Sequence, residues 1–287
     1  MAAGTHIWRV LLLAGCLTDP HLLARADDTN PPAPPVVTAP PESDADRFFT
    51  DYNKAVKFFR QSGQREASVV MDLLWRNLGS SPWFEIALLK HAELNETLNP
   101  QVASEDYDVL RKRIENAPYF RGTAERAAVF RAALLGSAMR GIDRLRIQRI
   151  RAGLGVYNTR YHQFPESLAK LAIYNYIDMD DIHNSEGRLF HYTPTGQMFT
   201  PAISYHTYVI EPLPAEPFFV TSPIIEGTTQ VDDKTKKYAA LIRVPDHMDP
   251  HRVFEDQTLE GYFVAAVAAG GAIVCTPERV LVLIAPE

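Results

Sequence analysis

Residues 123–161 read TAERAAVFRAALLGSAMRGIDRLRIQRIRAGLGVYNTRY and run into Phe164-Pro165-Glu166-Ser167-Leu168. Ile147, Ile150, Leu154, Tyr157 and Tyr161 recur at steps of three and four, which stacks side chains on one helical face. An earlier stripe is Phe130, Leu134, Ala138, Ile142 and Leu145. At about 100° per residue the two stripes point roughly 160° apart. One long helix therefore presents one apolar side to the chain before it and another to the chain after it. The spacing predicts a spine joining a helical half to a strand-rich half. Gly136, Gly141, Gly153 and Gly155 each lower helix propensity by up to about 1 kcal/mol, so a bend near them is open.

The spine carries eight arginines against Glu125 and Asp143. Arg140, Arg144 and Arg151 are the candidate partner-binding residues of this basic helix, or else a solvated face meeting carboxylates of the same chain. The charges exclude a membrane span, since each costs roughly 2.5–3.5 kcal/mol at a bilayer centre. The 287 residues carry a net charge of −6. That balance argues against nucleic acid as a partner, because such affinity comes mainly from basic groups neutralising phosphates.

At the start, Arg9 precedes the apolar run Val10 to Cys16, too short to cross a bilayer and shaped like an export signal. Leu13-Ala14-Gly15-Cys16 resembles the lipobox of bacterial lipoproteins. The resemblance implies a signal peptide over 1–15 and a diacylglycerol on Cys16, hence a membrane partner reached through a lipid anchor; ordinary cleavage, or none, is the alternative. Proline-rich residues within 16–45 suit an extended tether. Cys275 is then left alone, in an apolar run that suits a buried thiol.

Residues 46–122 read as a helical domain. Ser43-Asp44 caps a first helix with Phe48, Phe49, Tyr52, Val56 and Phe59 on one face. A second carries Val69, Val70, Leu73, Leu74 and Leu78. Ser81 caps a third through Trp83, Phe84, Ala87 and Leu88, and Ser104-Glu105-Asp106 opens a fourth. Residues 123–287 read as an α+β domain. Its β-favouring runs are 189–192, 205–210, 238–244, 262–267, 272–275 and 280–284, with Gly270-Gly271 expected to form a positive-φ hairpin turn. The fold class expected is α+β: helical segment, spine, then antiparallel sheet.

Val156 to Leu168, followed by the acidic stretch Asp181 to Gly187 and by Arg188-Leu189-Phe190-His191-Tyr192, resembles the globular part of type II secretion pseudopilins of the G kind. Pro165 fits a first helical turn, Glu166 favours its N-terminus, and the tyrosines are expected to pack under the turn. Tyr262-Phe263-Val264 to Ile273-Val274 is similar to the closing hairpin of such proteins, with Ala269 where an aspartate is usual. The resemblance implies a pilin-like domain outside a filament core. Its family binds calcium in a loop, for which Asp178, Asp180 and Asp181, with Asn184 and Glu186, are the candidate ligands; a solvated acidic turn is the alternative.

His247 and His251, within Asp246 to His251, form the best metal-like cluster, although Pro250 opposes a shared helical face. Two functional readings result. One is a non-catalytic envelope lipoprotein, without a cofactor, that contacts envelope proteins and belongs with a secretion or pilus-like system. The other is an exported metal-dependent hydrolase using His247 and His251.

Overall fold

A computed structural model describes residues 43–286 apart from 117, 121–122, 200–201, 212, 214–217 and 246. The expected signal peptide, Cys16 and the proline-rich stretch up to residue 42 lie outside the described residues. The class is α+β, with helices followed by antiparallel sheets.

Ser43 caps α1 (Asp44–Arg60) by accepting from the amide of Asp46, and Phe48, Phe49, Tyr52, Ala55 and Val56 are buried along one face. In α2 (Gln64–Leu78) the buried face is Ala67, Met71, Leu74 and Leu78. Val69 and Leu73 instead stand 60% and 56% exposed, so the expected stripe through them is corrected. Ser81 precedes α3 (Pro82–Leu98) without a side-chain capping bond, and Pro82 supplies the fixed first turn. The fourth helix starts earlier than expected. Asn99 caps α4 (Pro100–Arg113) with Pro100 at its first turn, which puts Ser104 and Asp106 inside the helix.

The spine is α5 (Ala124–Tyr161), 38 residues and about 57 Å long, capped by Thr123. Its halves bury different faces, as the two stripes require. Phe130, Leu134, Ala138 and Leu145 join α1 to α4 in one core, whereas Ile147, Ile150, Leu154 and Tyr157 join a second with α6 (Leu168–Ile173). Two of the spine glycines permit close approach. A Cβ on Gly141 would stand 2.1 Å from Tyr107, and one on Gly153 would stand 2.8 Å from Ile177.

Three antiparallel sheets follow. The ribbon of β1 (Tyr192–Phe199) and β2 (Ala202–Ile210) roots in the second core through Tyr192, Tyr208 and Ile210. Of the run expected at 189–192, Leu189 makes an isolated bridge with His183 and Tyr192 opens β1. Next comes β3 (Ile224–Asp232), β4 (Lys237–Arg243) and β5 (His251–Val253). Last is β6 (Thr258–Leu259), β7 (Tyr262–Ala268), β8 (Gly271–Cys275) and β9 (Val280–Ile284).

Strand alternation explains the layering. Phe263, Ala265, Ile273, Cys275, Val280 and Val282 face the helices, while Val264, Val267, Ala272, Val274, Leu281 and Leu283 face Ile225, Ala240, Ile242 and Val253 of the three-stranded sheet. A sheet covered on both faces has no polar side, hence the unbroken apolar runs at 272–275 and 280–284. The β7–β8 hairpin forms where Gly270-Gly271 falls, but not through a primed turn: neither central residue, Ala269 or Gly270, has positive φ, and the φ of 157° belongs to Gly271, the first residue of β8. Small residues are needed there because the Phe49 ring lies on both glycines. The helices of 46–122 and the strands of 262–284 thus share one core across the expected domain boundary at 122.

Candidate functional site

Three places gather polar or aromatic side chains beyond what packing asks for. The first is internal. Every residue of α3 from Trp83 to Glu96 is buried, among them Glu85, Lys90, His91, Glu93, Asn95 and Glu96. Buried charges must be paired. Lys90 Nζ lies 2.7 Å from Glu93 Oε2, and His91 Nδ1 lies 2.7 Å from Asp106 Oδ2. Arg144 holds Glu96 with two bonds of 2.6 and 2.8 Å, and the Tyr107 hydroxyl donates to the same carboxylate at 2.5 Å. Burial pushes the Tyr107 phenol well above its ordinary value, with the Glu96 charge acting in the same direction. Burial also raises the Glu93 carboxyl, against the pull of Lys90. Glu85 is raised by burial too; Arg113 reaches only its Oε1, at 3.3 Å, and Oε2 has no partner. The network ties α3 to α4 and α5.

The second place is the acidic stretch after α6. Asp181 is buried and grips the Arg149 guanidinium through bonds of 2.7 to 3.0 Å. Its charge is matched by that arginine, so Asp181 is an ion-pair partner of the spine. Asp178 and Asp180 are exposed. Asn184 Oδ1 accepts from the amides of Glu186 and Arg188, and Asp143 accepts from the amide and hydroxyl of Ser185. The loop is thereby stapled to the spine. His247 and His251 stand with ring centroids 5.5 Å apart, and Glu260 is 3.9 Å from His247. Asp246 lies outside the described residues. Among the described residues, no three His, Cys, Asp or Glu side chains converge to hold a metal. Cys275 is buried, and burial raises its thiol far above the reactive range.

The spine arginines divide sharply. Arg126 meets Asp256, Arg140 meets Glu278, Arg144 meets Glu96, Arg146 meets Asp143 and Arg149 meets Asp181. Two of the three candidate partner-binding arginines are therefore internal ties: Arg144 is only 5% exposed, and Arg140 also donates to the Glu278 carbonyl. Arg151 is exposed and has no carboxylate partner among the described residues.

The third place is where α5 ends against α6. Tyr157 is buried and Tyr192 donates to the Pro165 carbonyl at 2.8 Å, so these two tyrosines do pack around the turn. Tyr161 does not; it is 37% exposed and in ring contact with Tyr174 at 49%, and Val156 of α5 and Ile173 of α6 are exposed as well. Tyr157, Tyr161, Tyr174 and Tyr176 form a continuous aromatic cluster with centroid separations of 4.5 to 6.2 Å. The Arg160 guanidinium lies 5.6 Å from the Tyr161 ring centroid and 3.4 Å from the Tyr176 hydroxyl. A shallow groove of about 400 Å³ runs alongside, between Ala152, Gly153 and Val156 of the spine and residues 175–178. The sequence reading missed this face by placing all the tyrosines inside. Its signal was there: Ile173-Tyr174 closes a six-residue helix too short to bury every apolar side chain.

Comparison with family models, with curated proteins and with solved structures gives no match for this chain.

Proposed function

We propose that this chain is a non-catalytic cell-envelope lipoprotein, held to a membrane through Cys16, whose folded part makes protein contacts within a secretion or pilus-like assembly. The observation that carries the contact role is the exposed pair Tyr161 and Tyr174, in ring contact beside Arg160, with the exposed Ile173 next to Tyr174 in the chain. Tyrosine and arginine dominate the energetically important positions of protein interfaces, because each combines a large apolar body with a polar end. Exposed aromatic and apolar side chains gathered beside a cation are the kind of surface that a protein partner covers. The lipobox-like start and the proline-rich stretch after it supply the tether in this reading.

The test is expression of the full chain in a bacterial host, comparing wild type with Cys16→Ser by intact mass and membrane fractionation. A photo-crosslinking phenylalanine analogue replaces Tyr174 in the same cells, with Val69 on α2 as the control position. The expected result is a lipid-sized mass gain and membrane retention, both lost in Cys16→Ser, and a discrete protein adduct from position 174 only. A soluble, unmodified wild type would remove the tether; no adduct, or equal adducts from both positions, would remove the contact face.

A further inference from the structure

The charges left over on the spine point to what the α5–α6 face receives. Five spine arginines are neutralised by carboxylates of this chain. Arg160 is different: its described contacts are two tyrosines, neither of them anionic. Lys170 lies on α6 three and four residues before Ile173 and Tyr174, hence on their side of the helix, and it too has no carboxylate partner among the described residues. Glu166 is the nearest acid in sequence, four residues before Lys170 and exposed. Lys170 thus adjoins the exposed Ile173 and Tyr174 along α6, and Arg160 joins the same cluster through Tyr161.

A partner that covers Ile173 and Tyr174 must strip water from around Arg160 and Lys170. Desolvating a cation without an opposite charge is unfavourable and works against the gain from an apolar contact. We propose that the docking segment is acidic: a stretch of a partner protein whose apolar side chains cover Ile173 and Tyr174 while its carboxylates meet Arg160 and Lys170. This rests on the reading of the face as a protein contact surface. Arg151 supplies an internal control. It is as unmatched as Arg160 but nine residues earlier, which at about 100° per residue puts it on the opposite side of the spine.

The experiment uses the full chain in the envelope with the photo-crosslinking analogue in place of Tyr174, and the crosslinked segment is sequenced by mass spectrometry. The expected adduct lies in a segment rich in aspartate or glutamate. Its yield should fall by about tenfold or more in Arg160→Glu/Lys170→Glu, fall with added salt, and stay unchanged in Arg151→Glu. A neutral or basic crosslinked segment, or a yield indifferent to the double reversal, would overturn the acidic partner while leaving the contact face standing. Transfer of the label to lipid, lost in the double reversal, would overturn it in favour of an anionic membrane surface. Absence of any adduct would remove the face and this inference together.

Discussion

Single residues decide how tightly the spine can be approached. Gly141 has the Tyr107 ring where a side chain would be, and Tyr107 in turn donates to the carboxylate that Arg144 grips. Gly141→Ala should therefore destabilise the protein by about 3 kcal/mol or more, through overpacking and loss of a buried charge-assisted bond. Gly155 has nothing within 4 Å, so Gly155→Ala should stabilise by up to about 1 kcal/mol through helix propensity alone. Urea unfolding of both variants checks the pair, and equal effects would refute the close-approach account. Sequence could flag these glycines as anomalies in a helix, but not tell them apart. What separates them is a ring from another helix, and helical periodicity carries no information about that.

Glu85 makes a second residue-scale case. Burial raises its carboxyl, so the folded state favours the protonated form. The sign follows from linkage: a raised folded value means stability is fully present below the unfolded carboxyl range, about pH 4, and is lost as pH rises through the folded value. Glu85→Gln keeps a carbonyl for Arg113 and removes the ionisation. The Tm of the variant should match wild type at the acid end and exceed it increasingly as pH rises toward neutrality. A difference that is constant with pH would mean that Arg113, not burial, governs this carboxylate.

At the scale of the element, the informative contrast is between α2 and α3. In α2 the sequence reading ran through Val69, Val70, Leu73, Leu74 and Leu78; tertiary packing keeps Leu74 and Leu78 inside, adds Met71, and leaves Val69 and Leu73 exposed. Leu74→Ala should cost about 2–5 kcal/mol in chemical denaturation, while Leu73→Ala should stay within about 0.5 kcal/mol. A comparable loss at both positions would show that a partner, or a second copy, covers the exposed stripe. In α3 the difficulty was the reverse. Its polar residues point in every direction, which in an isolated helix reads as a solvated surface, yet those from Glu85 to Glu96 are buried because α1, α2, α4 and α5 surround it. Lys90 and Glu93 pair within α3, but Glu85, His91 and Glu96 find their partners on α4 and α5, and such pairings are invisible to a reading that treats one helix at a time. The cap at Ser43 was legible because its own side chain makes it, and α4 was misplaced because Asn99-Pro100 was passed over for the later Ser104-Glu105-Asp106.

For the whole molecule, the α+β order and the two-faced spine were legible because each is written as a period, 3.6 residues in one half and 2 in the other. The division into a helical domain and a separate sheet domain was not, since the same apolar residue type serves a private core or a shared one. Phe48, Tyr52 and Trp83 belong to the same core as Phe263, Ile273 and Val282, and Phe49 sits on Gly270 and Gly271 of the β7–β8 hairpin. A helical fragment ending before the spine would expose the apolar face that these strands cover, as well as the side of α3 that meets α5. The full chain should accordingly lose helix and sheet in one transition: the helical far-ultraviolet signal and the accessibility of the buried Cys275 thiol should report the same denaturant midpoint. The isolated 43–122 segment should show no cooperative transition of its own. If instead the thiol became reactive well before the helices melted, the sheet would be an independently folding unit, and the helical half would need enough private core to stand alone.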